Sequence, residues 1–183
     1  MEVPRRQIRA VYDEHTITVY QAYPEEIAGP AVHAGRFVDP FKRERMTWIK
    51  PSFLWMMYRC GWATKPGQER VLAVQITRAG FDWALTQACP SHHDPSSGES
   101  PEEWSRRLRR SDIRVQWDPE RSLHLEVLPY RSLQLGIGGD AVGRYVDDWT
   151  VSITDVTALV REIAANRDPA LLPEERPYHP MVG

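Results

Sequence analysis

Apolar and polar positions divide the chain into intermixed strands and helices. The run TITVYQAY, Thr16 to Tyr23, is β-branched and aromatic and predicts a strand ending at Pro24. Pro24 then opens a helix with Glu25 and Glu26 at its positive end and Ile27, Ala31, Val32 and Ala34 on its apolar side, short or kinked because of Gly29-Pro30. MTWI predicts a short strand, and Pro51 begins a helix through Cys60, closed by Gly61. In that helix Phe53, Leu54, Met56, Met57 and Cys60 cover more than one face, which predicts burial on several sides.

Farther along, RVLAVQIT (Arg70 to Thr77) predicts a strand and AGFDWALTQA a helix ended by Pro90. The Ser, Pro, Gly and acid content of 88–102 predicts an exposed loop excursion, followed by a short basic helix, EEWSRRLRRS. DIRVQWDPERSLHLEVLP reads as strand, turn at Asp118-Pro119, strand, and RSLQLGIG as a further strand. Asp140 is expected to cap a helix carrying Val142, Tyr145, Val146 and Trp149, WTVSIT returns to strand, and a last helix from Asp155 carries the stripe Val156, Leu159, Val160, Ile163. Successive strands without intervening helices predict an α+β fold: one domain over 1–167 with a mixed, mainly antiparallel sheet and flanking helices. A proline-rich, irregular tail over 168–183 completes the expected organisation.

A chain of 183 residues can enclose a core without staples, and its formal charge of −2 provides no bulk field for nucleic acid, so attraction to phosphates must come from local clusters. Cys60 and Cys89 are the two cysteines, and no stretch approaches a membrane span or a signal-peptide core; a cytoplasmic location without membrane contact is the expectation. No metal is expected, since His92 and His93 are adjacent and no H-x-x-x-H or C-x-x-C occurs. A G-x-S-x-G elbow is absent, and GIGGDAVG fits neither glycine-rich phosphate fingerprint, so it reads as a turn.

Candidate chemistry concentrates in RERMTWIKPSFLWMMYRCGW, where Lys50-Pro51-Ser52 stands at a helix start whose free N–H groups favour anions. The competing reading is a solvated Lys50 and a Ser52 that only caps. Two further basic clusters, Arg5, Arg6 and Arg9 near the start and Arg106, Arg107, Arg109, Arg110 and Arg114 later, could follow a phosphate backbone or remain a solvated arm and a salt-bridged helix. If the first packed beside Lys50, the two would form one electropositive cleft.

RAVYDEHTITVYQAY, RMTWIKPSFLWMMYRCGWATKPGQERVLA and VQWDPERS resemble the uncharacterised family catalogued as domain of unknown function 4291. Separately, VYQAYPEEIAGPAVHAGRF is similar to the opening unit of ADP-ribosyltransferases, in which a strand ends in a polar triplet and a helix leads to a Gly-aromatic turn. Here the triplet is Gln21-Ala22-Tyr23 and the turn Gly35-Arg36-Phe37, with Gln21 in the usual basic position and no later Glu-x-Glu. That resemblance implies NAD as cofactor, held by Tyr20, Tyr23, Arg45, Trp48, Lys50 and Ser52, with Gln21, Glu126 and Gln134 as catalytic candidates. Glu126 would supply charge if its strand register turned it inward. The functional expectation is a nucleotide- or nucleic-acid-binding protein, with a nucleotide or nucleic-acid end as partner and ADP-ribosyltransferase-like chemistry as the enzymatic form. The alternatives are a non-catalytic RNA- or DNA-binding module using Arg6, Arg9, Arg106, Arg107 and Arg110, or a protein-interaction domain whose aromatics form only core.

Overall fold

The computed structural model describes residues 2–181. In chain order its elements begin with β1 (Arg9–Ala10), β2 (Thr16–Tyr23), α1 (Glu25–Ala34), β3 (Thr47–Ile49), α2 (Phe53–Cys60), β4 (Arg70–Thr77), α3 (Arg78–Gln87) and β5 (Cys89–Pro90). They continue with α4 (Pro101–Arg110), β6 (Ile113–Arg121), β7 (Val127–Ile137), α5 (Ala141–Gly143), β8 (Thr150–Asp155), α6 (Thr157–Asn166) and β9 (Arg176–Pro177). The result is a single α+β domain with mixed, mainly antiparallel sheets.

Three strands run in the order β2-β4-β8 and four in the order β3-β7-β6-β5, with β5 parallel to β6. The two sheets meet where Tyr20 and Lys50 exchange backbone hydrogen bonds, at 2.8 and 3.3 Å. Period-two alternation explains the layers. Ile17 and Val19 of β2 and Leu72, Val74 and Ile76 of β4 face a core shared with Ile113 of β6 and Leu133, Leu135 and Ile137 of β7. Tyr20 and Val71, one residue out of phase, face a second core under α2 and α6, with Phe53, Met56, Met57, Val160 and Ile163. The β2-β4-β8 sheet is therefore covered on both sides. By contrast, β7 gives one face to the core and sends Ser132, Gln134 and Gly136 to the other.

Local chemistry sets the helix boundaries. Ser52 Oγ accepts the Trp55 N–H at 3.0 Å, and Gly61, at φ +59°, closes α2. Ser100 and Glu103 form a reciprocal capping box on α4.

Three expectations change. Asp118-Pro119 lies inside β6, where a register shift between Pro119 and Arg121 absorbs the missing proline donor, and the reversal comes at Ser122 to Glu126, with Leu125 at φ +62°. The three strands expected there are thus two. Asp140 makes no side-chain cap, and after α5 the chain continues as a π-helix, Arg144–Trp149. In the tail, β9 pairs with β1 and Tyr178 is buried, its hydroxyl donating to Asp82 at 2.6 Å.

Candidate functional site

The open face of the four-stranded sheet is where chemistry-bearing side chains converge. Trp48 pairs with Gly136, Gly136 with Arg114, Gln134 with Gln116 and Ser132 with Asp118. Ile49 points into the core, so Trp48 and Lys50 share the opposite, open face. Gly136 is required there, because a Cβ would stand 3.0 Å from the Trp48 ring and 2.7 Å from the Met46 sulfur. Helix α2 contributes a wall of Trp55, Tyr58 and Arg59. Together with Arg121 these residues enclose a cavity of about 400 Å³.

Hydrogen bonds fix its floor. Gln116 Nε2 and Gln134 Nε2 each donate to one oxygen of Asp118, both at 2.9 Å. Along the wall, Trp55 stacks on Tyr58 at 5.2 Å and the Arg121 guanidinium lies 3.7 Å from the centre of the Tyr58 ring. Trp55 Nε1 and Arg121 Nε are buried without hydrogen-bond partners among the described residues.

Lys50 occupies the least ordinary position. It is 7 % exposed, and its one side-chain hydrogen bond among the described residues is a long 3.5 Å contact to the Trp48 carbonyl. Among the described residues no carboxylate lies within ion-pair distance of it. Desolvation, reinforced by the nearby Arg59 charge, pushes its amine down to about 8, with Cys60 and Asp118 opposing weakly. Lys50 is thus buried and short of a counter-ion, unlike the solvated lysine of the competing reading.

The adjoining helix start, by contrast, has partners within the chain. Glu175 Oε1 accepts the Phe53 N–H at 2.7 Å, and Ser52 Oγ donates to Glu120 Oε1 at 3.0 Å while capping Trp55. The chain's own carboxyl groups already satisfy the α2 terminus, with Ser52 engaged as its cap. Burial raises both acids, Glu175 to about 8. A second cavity, about 340 Å³, opens here between Arg9, Leu128, Tyr130 and Pro173.

The sequence model of the family described as "Domain of unknown function (DUF4291)" matches residues 7–178. The chain belongs to that family. No curated protein matches it. The family's description names no activity.

In this member of the family, Lys50, Trp48 and Gln134 come together and the other expected residues do not. Gln21 is buried on the far side of β3, donating to Thr47 and Tyr23 and accepting from Tyr145, because β2 alternation sends it opposite to Tyr20. Tyr20 packs edge-on against Phe53 in the second core, and Tyr23 against Phe37 and Phe41. Glu126 is exposed in the β6–β7 reversal, and Arg45 is exposed between α1 and β3. The expected catalytic trio of Gln21, Glu126 and Gln134 is therefore not assembled.

The basic clusters also separate from Lys50. Arg6 lies 5.9 Å from the Trp117 ring centre and lines a cleft with Arg5, His92, His93 and Asp94. Arg9 lines the Glu120 and Glu175 cavity instead. Arg106, Arg107 and Arg110 share another cleft with Glu103, Asp112 and Asp140, and Arg107 is paired with Glu99 at 2.7 Å. The single electropositive cleft considered from sequence does not form.

Sequence reasoning missed Gln116, Asp118, Tyr58, Arg59 and Arg121. The alternation Arg114-Gln116-Asp118 in β6, polar on every second residue, was the signal available for part of that set.

Among the described residues no helix is long and apolar enough to cross a membrane.

Proposed function

We propose that the cavity on the open sheet face binds a nucleotide or the terminal nucleotide of a nucleic acid. The observation that carries this reading is Lys50, an amine buried without a counter-ion in a cavity that Trp48 and Trp55 also line. An incoming phosphate would supply the missing negative charge, with Arg59 and Arg121 as further donors. A flat base suits the indole walls, and the Gln116 and Gln134 amides suit its polar edge. The volume is that of a small-ligand site.

The proposed role is binding. ADP-ribosyl transfer through Gln21 and Glu126 forms no part of it, since neither side chain reaches the cavity. NAD remains a ligand to test because its ADP half has the required chemistry.

Calorimetric titration with ADP, NAD and a 5′-phosphorylated oligonucleotide tests the proposal, comparing the wild type with Lys50→Met. Binding that Lys50→Met weakens by roughly ten- to a hundredfold supports it, the loss expected for one charge-assisted hydrogen bond. No binding of any of the three by the wild type would overturn it.

A further inference from the structure

We propose that Lys50 Nζ is a nucleophile that condenses with the aldehyde of a phosphorylated ligand, forming an imine in the cavity between the sheet face and α2. This inference rests on the anion-binding reading of that cavity and adds a covalent step to it.

The geometry separates Lys50 from the other cations. The chain has 20 arginines and three lysines, and a guanidinium stays protonated and forms no imine with a simple aldehyde. Lys42 and Lys65 are exposed; Lys50 is buried. Among the described residues its amine has no carboxylate partner to hold it as ammonium, and its one side-chain acceptor is the Trp48 carbonyl at 3.5 Å. Arg59 disfavours a second positive charge beside it. Desolvation and a neighbouring cation are the two conditions that leave a lysine amine free to attack carbon at neutral pH. The titratable groups facing Lys50 are the Arg59 guanidinium, the buried Cys60 thiol and the Asp118 carboxyl.

The chemistry balances without an oxidant or reductant. The Nζ lone pair attacks the carbonyl carbon, and an N–H proton passes to the carbonyl oxygen to give a carbinolamine. That oxygen then leaves as water, the second amine proton passing by relay to the departing hydroxyl, and the nitrogen lone pair closes the C=N bond. Asp118 lines the same cavity and is held in place by the Gln116 and Gln134 amides, so it can relay these protons. Arg59 and Arg121 are the partners for the ligand's phosphate. An aldehyde next to a phosphate ester occurs in a free open-chain sugar phosphate and in an abasic residue at a nucleic-acid end.

The test incubates the full chain with glyceraldehyde 3-phosphate or, separately, with an abasic oligonucleotide, reduces with borohydride and maps adducts by peptide mass spectrometry. Stable adducts on Lys50 ahead of exposed Lys42 and Lys65, lost in Lys50→Arg, are the expected result. The arm that labels better identifies the source of the aldehyde. Equal labelling by unphosphorylated glyceraldehyde would overturn the phosphate requirement, and an unlabelled Lys50 in the wild type would overturn the nucleophile. The wild-type map decides this even if Lys50→Arg misfolds. ADP binding measured on the same preparation keeps the two proposals apart: binding with an unlabelled Lys50 sinks only the covalent step, whereas neither binding nor adduct sinks both.

Discussion

Glu175 lies 122 residues from Phe53 in sequence, yet its carboxylate accepts the first N–H of α2 at 2.7 Å. The tail thereby provides the hydrogen-bond acceptor that this helix start requires. Beside it Glu120 accepts from Ser52 and from the Arg121 N–H, so two raised carboxylates share one helix terminus.

Glu175→Gln keeps an acceptor for Phe53 and removes the ionisable proton. The wild-type carboxyl is raised from 4.5 to about 8, chiefly by burial, with Glu120 adding to the rise and Arg9 opposing it. Its stability contribution is full below pH 4.5 and is lost as pH rises through 8. The variant should match the wild type in acid and become progressively more stable than it between those values, by on the order of a few kcal/mol. Denaturant melts across that range measure the gap.

Lys50 has the opposite slope. Its amine is lowered from 10.5 to about 8, so the fold carries a penalty that is complete below pH 8 and vanishes as pH rises through 10.5. Lys50→Met should be more stable than the wild type at pH 7, on the order of a few kcal/mol, with the difference closing toward pH 10.5. Equal stability throughout would mean that the amine is solvated.

Trp55 has two roles that size alone can separate. Trp55→Ala should cost about 3–5 kcal/mol, because the side chain is 5 % exposed and stacked on Tyr58. Trp55→Phe preserves most of that packing but lacks the unpartnered indole N–H, so its melting temperature should fall less while ligand affinity drops.

Gln21→Leu tests a structural assignment. Removing that amide strands the Tyr145 hydroxyl and removes a donor from Tyr23 and Thr47, at about 1–3 kcal/mol for each buried group left unsatisfied. Thermal stability should fall, while affinity at the Lys50 cavity stays unchanged.

Gly80→Ala should destabilise by about 1–3 kcal/mol, since a Cβ would enter the Trp149 indole packed on α3. Reduced stability with intact ligand binding separates this contact from Gly136→Ala, which displaces the Trp48 wall of the cavity and should impair binding as well.

Local pattern by itself determined the strands Thr16–Tyr23 and Arg70–Thr77, the helix ending at Cys60 and the α+β class, because period-two alternation, capping residues and glycine stops act over a few neighbouring positions. It also singled out Lys50 at a helix start, while Trp48 and Gln134 were named through the resemblance to ADP-ribosyltransferases. Which residues surround them was decided by pairing across the chain: β3 against β7 places Trp48 on Gly136, β7 against β6 places Gln134 on Gln116, and α2 closes the side with Trp55 and Arg59. Strand register also sent Gln21 to the opposite face, and tail docking put Glu175 on the helix start that had been expected to receive a ligand. A residue's type and immediate neighbours establish the chemistry it can offer, but its solvation and its counter-charges come from segments far away in sequence, and at Lys50 those distant segments bury the amine.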